Sequence, residues 1–221
     1  MKNAMLLRVL VVASLGVCAT SAIAQVSLGQ TDTFDSGTAA WQGANPSWVS
    51  TGGPGGAGDG FLQLLSTGGG GSNSHMAGYN SSQCSGNFIA AGVTMISADF
   101  ENLGSTQLAM RLVFFDPSLS TQWESNAVYL LNPNSGWQHA SFAIDQADFT
   151  QVEGSTSFSD TLSQVNRMMF RHNPNLDSGG VSIVGTLGID NVHAGVVPEP
   201  ASLAVLSLGV LAILRKRKQS R

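Results

Sequence analysis

Seven short segments in which apolar residues fall at every second position, separated by Gly, Asn, Ser and Pro, confine this chain to β-structure. They are Phe61–Leu65, Val93–Phe100, Leu108–Phe115, Ala127–Leu131, Trp137–Ile144, Val165–Arg171 and Ile183–His193. In Leu108–Phe115 one alternate set is Leu108, Met110, Leu112 and Phe114, and the other is Ala109, Arg111, Val113 and Phe115. A strand with two largely apolar sides has to be covered on both. No amphipathic helix of ordinary length is present. The best helical stretch is a turn or two near Ser159–Gln164, with Ser159 or Asp160 placed to cap it. Short strands with Gly-rich turns predict two packed antiparallel sheets, and the 173 residues from 25 to 197 suit a jelly roll. The expected fold is all-β, a two-sheet antiparallel jelly-roll sandwich.

The charges are segregated along the chain. From Gln25 to Val197 there is no lysine, and Arg111, Arg167 and Arg171 face thirteen acids, a net −10. A body this acidic excludes nucleic acid as a partner, because phosphate affinity needs clustered cations. The other cations lie at the ends. Lys2 and Arg8 flank the start of an apolar run, Val9–Val17, and Ala22-Ile23-Ala24 precedes Gln25. That is the layout of a secretory signal peptide cut between Ala24 and Gln25, so residues 1–24 are expected to form a signal helix. Its removal leaves Cys84 as the only cysteine, which can form no internal disulfide and is expected to be buried and inert.

At the other end Pro198-Glu199-Pro200 is followed by the uncharged run Leu203–Leu214 and then by Arg215, Lys216, Arg217, Lys218 and Arg221. The two prolines forbid a regular helix across the junction and hold it extended, as a protease cleft requires. Ala201–Leu214 as a helix measures about 21 Å against a hydrocarbon core of ~30 Å, a short transmembrane helix with a basic stop. The expected division is therefore signal 1–24, sandwich 25–194 and sorting tail 195–221, with a helix flanking the sandwich on each side.

This tail resembles the PEP-CTERM sorting signal of Gram-negative bacteria, with Pro198-Glu199-Pro200 as the motif, Leu203–Leu214 as the membrane helix and Arg215–Arg221 as the basic end. The resemblance implies an exosortase-type processing enzyme as partner. It also implies export through the inner membrane, transient anchoring there by the C-terminus, release to the cell surface or beyond, and association with exopolysaccharide. The body resembles carbohydrate-binding and laminin-B-like jelly rolls through Asp32-Thr33-Phe34-Asp35, Gly58-Asp59-Gly60-Phe61-Leu62 and Leu187-Gly188-Ile189-Asp190-Asn191-Val192. That resemblance implies a structural calcium held by Asp35, Asp59 and Asp190, and no other cofactor.

Catalytic patterns are sparse. Asp99 and Glu101 share one side of a strand, as in some sandwich glycosidases, but Gly104 stands where a third acid would continue the series. His75, His139, His172 and His193 show no metal-binding spacing, and there is no G-x-S-x-G elbow. The glycines between 52 and 60 read as a flexible turn, lacking the Lys-Ser/Thr and helix of a phosphate loop. Trp41 and Trp123 lie in polar contexts and are the expected sugar-stacking side chains, whereas Trp137, at the start of an alternating strand, is expected in the core. The leading reading is a non-enzymatic, surface-sorted structural or adhesive protein. A carbohydrate-binding module is the second, and a glycoside hydrolase or lyase the third.

Overall fold

The computed structural model describes residues 25–71 and 73–198. The expected signal helix with Ala24, the transmembrane helix, Glu199, Pro200 and the basic cluster from Arg215 to Arg221 lie outside the described residues. Among the described residues no helix is long and apolar enough to cross a membrane.

Among the described residues thirteen strands form two antiparallel sheets. In chain order they are β1 (Thr31–Asp32), β2 (Gln42–Gly43), β3 (Ser47–Val49), β4 (Phe61–Thr67), β5 (Ala77–Asn80), β6 (Met95–Asn102), β7 (Leu108–Phe115), β8 (Gln122–Ser125), β9 (Tyr129–Leu131), β10 (Gln138–Ala143), β11 (Phe149–Glu153), β12 (Arg167–His172) and β13 (Val184–Gly195). Sheet A runs β10-β6-β13-β4-β3, with β1 beside the last part of β13; sheet B runs β11-β8-β7-β12-β5-β2, with β9 beside the first part of β7. This is the jelly-roll-like sandwich that the alternation predicts. Strand β7 is buried at every residue, as its doubly apolar pattern requires.

Two short helices close one end. Helix α1 (Phe88–Ala91) starts at Asn87, whose side chain accepts from Ala90 N at 2.8 Å. Helix α2 (Phe158–Ser163) is capped by Ser157, whose Oγ accepts from Asp160 N at 3.1 Å, rather than by Ser159 or Asp160. Ser157 wins because its φ and ψ are extended, the geometry a capping residue needs.

The core lies between the sheets and centres on Phe170 of β12. Trp41 stacks parallel to it at 5.7 Å between ring centroids, and Phe100 meets it edge-on at 5.0 Å. In β13 the inward residues are Leu187 and Ile189, then Val192 and Ala194. The parity changes because a β-bulge inserts one residue between Asp190 and His193, with Asn191 at φ 50°, a value asparagine tolerates. Asp190, next to inward Ile189 and just before the bulge, lies on the outer side of sheet A.

Both described chain ends run together. Strand β1 pairs antiparallel with β13, and Gly29 N donates to Ala194 O while Ala194 N donates to Gln30 O. The chain therefore enters at Gln25 and leaves at Pro198 from the same end of the sandwich.

Candidate functional site

The outer side of sheet A carries acids. Register places Phe61, Asp190, Asp99 and His139 across β4, β13, β6 and β10. Asp99 accepts from Asn191 Nδ2 at 2.9 Å and lies 2.8 Å from His139 Nδ1. Asp190 is wholly buried although it points away from the core, because the glycine loop folds over it. That loop is not the flexible turn expected. Gly52 N donates to Gly56 O, Gly56 N to Gly53 O, Gly53 N to Asp59 O and Gly55 N to Asp59 Oδ2. Trp137 Nε1 ties its start down by donating to Gly52 O at 3.0 Å.

Gly53 has to be glycine. A Cβ there would sit 2.6 Å from Asp59 Oδ2 and 3.0 Å from Asp190 Oδ2, so the two carboxylates face one small space. Asp190 Oδ1 accepts from Asn191 N, but Oδ2 is buried with no hydrogen-bond partner. Burial first, and then the charges of Asp59, Asp99 and Asp35, push its carboxyl up to about 7. The expected calcium residues are thus only partly brought together. Asp59 and Asp190 converge, while Asp35 is exposed and accepts from Thr33 Oγ1 at 2.6 Å. Among the described residues no three His, Cys, Asp or Glu side chains converge as a metal site. An orphaned buried carboxylate oxygen beside a second carboxylate nonetheless fits a hard cation completed by carbonyls and water.

The outer side of sheet B carries every cation of the body. Three rows cross it in register. The central row is Gln42, Tyr79, Met169, Val113, Glu124 and Thr150, and beside it run Arg167, Phe115, Gln122 and Glu153. The third row pairs Arg171 with Ala77 and Arg111. Arg171 and Glu124 form a buried ion pair at 3.1 Å, and Asn173 Nδ2 donates to both Glu124 oxygens. Burial raises the Glu124 carboxyl and Arg171 pulls it back. The segment after β12 folds over this pair, since Arg171 donates to the carbonyls of Asp177 and Ser178. Sequence reading did not single out this face. The available signal was that Arg167 and Arg171, four apart in one strand, point the same way.

The tryptophans exchange places with expectation. Trp41 is 2% exposed, with Nε1 donating to Asp32 Oδ2 at 2.7 Å, and Trp123 is 8% exposed, with Nε1 donating to Thr156 O at 3.0 Å. Both expected sugar-stacking rings are therefore in the core, because the polar stretches around them fold back and supply partners for the indole N–H. Trp137 instead lies half-buried across Gly188, edge-on to Phe61, on the outside of sheet A. Cys84 is buried, and burial, then Asp32, pushes its thiol well up. His172 is a buried acceptor from Ala109 N, with its basicity lowered by burial. Asp99 and Glu101 do share the outer side of β6, but Asp99 is already occupied by His139 and Asn191.

The exit of the chain completes the geometry. Val197 N donates to Thr94 Oγ1, and Val196 and Val197 are both exposed. Residues 196–218 match the model of the PEP-CTERM protein-sorting motif. The chain carries a PEP-CTERM sorting tail. No curated protein is similar enough to match. Among solved structures, the chain is similar to an exo-β-agarase at 12% identity and TM-score 0.52, over 78% of this chain and 26% of that one. It is also similar to a family 11 carbohydrate-binding module of the cellulase Lic26A-Cel5E of Clostridium thermocellum, at 13% identity and TM-score 0.49, over 79% and 99% of the two chains. A non-crystalline-cellulose-specific module, CBM28, follows at 15% and 0.42, over 79% and 99%. The chain spans about a quarter of the agarase chain. At these identities the likeness is one of fold.

Proposed function

We propose that this is an exported, surface-sorted protein whose PEP-CTERM tail is removed by an exosortase-type enzyme in the inner membrane of a Gram-negative cell, and whose sandwich then binds exopolysaccharide without turning it over. The junction carries the sorting part of the reading. The PEP-CTERM match begins one residue after β13 ends at Gly195, and exposed Val196 and Val197 lead from the sandwich into the motif. Mass spectrometry of the natively expressed protein tests it. The expected species begins at Gln25 and ends near Pro198; a full-length chain with both ends intact overturns it.

Two features support the polysaccharide part. On the outer side of sheet B, exposed Gln42 and half-buried Tyr79, Arg167 and Thr150 offer polar and aromatic groups around the buried Met169, Val113 and Phe115, the kinds of group that sugar rings need. A domain of the same fold forms about a quarter of a chain described as an exo-β-agarase. A structural role in the matrix, as scaffold or adhesin, is the second reading; Val184, Leu130 and Ile89 are exposed apolar side chains on which such contacts could form. Glycan-array binding favours the first.

The calcium expectation becomes part of the same proposal. Asp59 and Asp190 would hold the ion, with Asp35 lending negative charge from outside. The ion would supply the positive charge this cluster lacks and tie the glycine loop to the central strand of sheet A. A melting curve with and without chelator tests it, and an unchanged midpoint removes it.

A further inference from the structure

Two of the three body arginines are held through both terminal nitrogens, although Arg171 Nε, like that of Arg167, has no partner. Arg111 donates through Nε to Asn173 O, through Nη1 to the carbonyls of Ser125 and Asn126, and through Nη2 to Pro174 O. Arg171 is held by Glu124, Gln122 and two carbonyls. Arg167 differs from both. Its guanidinium makes no hydrogen bond or ion pair with any described residue, and its Nε is enclosed by protein without a partner. It lies 4.2 Å from the Tyr79 ring centroid and 5.4 Å from that of Phe115.

Such a group is preorganised for something outside the chain. Aromatic contact holds the plane of the guanidinium, and its N–H donors then point along that plane as a rigid fork. The fork matches two oxygens of one anionic group better than a single hydroxyl. Glu153, three strands away in the same row, accepts from Gln122. A lone cation cannot track a nucleic acid or a lipid surface, both of which need several. It can read one acidic substituent on a chain that exposed Gln42 and half-buried Tyr79, in the row beside it, hold by other contacts.

We propose that Arg167 recognises a carboxylate or sulfate ester on a polysaccharide lying across the outer side of sheet B, so that the ligand is an acidic rather than a neutral glycan. This rests on the reading of that side as a glycan surface. The negative body opposes a polyanion at long range, but at about 0.15 M salt charges more than ~8 Å away are screened, which leaves the local contact to decide.

Titration calorimetry of the exported protein at that ionic strength, with polygalacturonate, dextran sulfate and neutral hydroxyethylcellulose as probes, is the test. The expected result is binding to one acidic polymer, with carboxylate and sulfate distinguished by which one. Arg167→Met, which keeps packing over Tyr79, is expected to weaken it about tenfold or more, the order of a lost charged hydrogen bond. Arg167→Lys keeps the charge but not the fork, and is expected to weaken it several-fold without disturbing the fold. Unchanged affinity for the acidic polymers in both variants overturns the proposal. Binding only to hydroxyethylcellulose, insensitive to Arg167→Met, overturns the acidic ligand and leaves the glycan surface standing; binding to none of the three removes both.

Discussion

The two outer sides of this sandwich are built by the same alternation and carry opposite chemistry. On sheet A, Asp99, Glu101 and Asp190 are joined by Asp59 from the glycine loop, and among the described residues no Lys or Arg reaches them. On sheet B the three arginines sit among Glu124, Glu153 and amide side chains. The difference lies in compensation. Sheet B pairs Arg171 with Glu124, spreads Arg111 over backbone carbonyls and leaves the Arg167 guanidinium without a hydrogen bond. Sheet A leaves a buried carboxyl that can be relieved only by a proton or a cation from outside. One side is a nearly finished polar network, open at Arg167, Arg171 Nε and Asn173 Oδ1, and the other is unfinished without an added positive charge.

The largest expected effect breaks the finished side. Glu124→Ala leaves the Arg171 guanidinium buried without its anion, and removing one partner of such a pair costs about 3–5 kcal/mol. Urea denaturation should show a loss of that order; a loss under 1 kcal/mol would mean that the carbonyls of Asp177 and Ser178 already suffice.

Next comes the unfinished side. Calcium at a hundredfold excess over its dissociation constant stabilises by about 2.7 kcal/mol if it binds only the folded chain. Asp190→Asn should abolish that increment yet leave the chelated protein no less stable, since it removes a buried charge. A large drop in chelator would show that Asp190 stabilises the metal-free fold by itself.

A smaller effect separates the two sides by pH. Burial raises the Asp116 carboxyl, but hydrogen bonds from Thr121, Ser118, Thr156 and Ser120 outweigh it and hold it below the usual carboxylate range. Its contribution is therefore full above that range and is lost as pH falls through the lowered value. Asp116→Asn should be less stable than the parent at neutral pH, by about 1 kcal/mol, with the gap closing in acid. A gap independent of pH refutes the assignment.

The smallest change is Trp137→Ala. The loss of one partly exposed hydrogen bond to Gly52 costs about 1 kcal/mol. It should weaken calcium more than it weakens the fold, and equal midpoints with and without calcium relative to the parent would detach the indole from the loop.

Strand β7 was legible residue for residue, because both of its sides are apolar and nothing else fits. Strands β4, β6, β9, β10, β12 and β13 were legible within a few residues at each end. Strands β1, β2, β3, β5, β8 and β11 were not, since segments such as Gln42–Gly43 and Gln122–Ser125 are short and polar. What makes them strands is a partner's backbone rather than their own apolar pattern. Trp41 misled because local polarity reports the neighbours of a residue in sequence, whereas its burial is set by Phe170, more than a hundred positions away. The glycine loop misled for a related reason, since its hydrogen bonds run to Asp59 and Trp137 and no glycine pattern encodes them.

By itself the sequence determined the β class, the acidity of the body and the sorting motif, because each depends only on residue type and order: period two, a charge count, and a proline pair before a greasy run and a basic stop. Tertiary structure alone decided which charges meet. The pairing of β13 with β6 and β4 sets Asp190 beside Asp99 on the outer side, under the glycine loop, and the antiparallel pairing of β7 with β12 brings distant Arg111 onto the side that carries Arg167 and Arg171. Register and bulges are set by cooperative pairing across the whole sheet, and a single residue of slip would have sent those side chains to the opposite side.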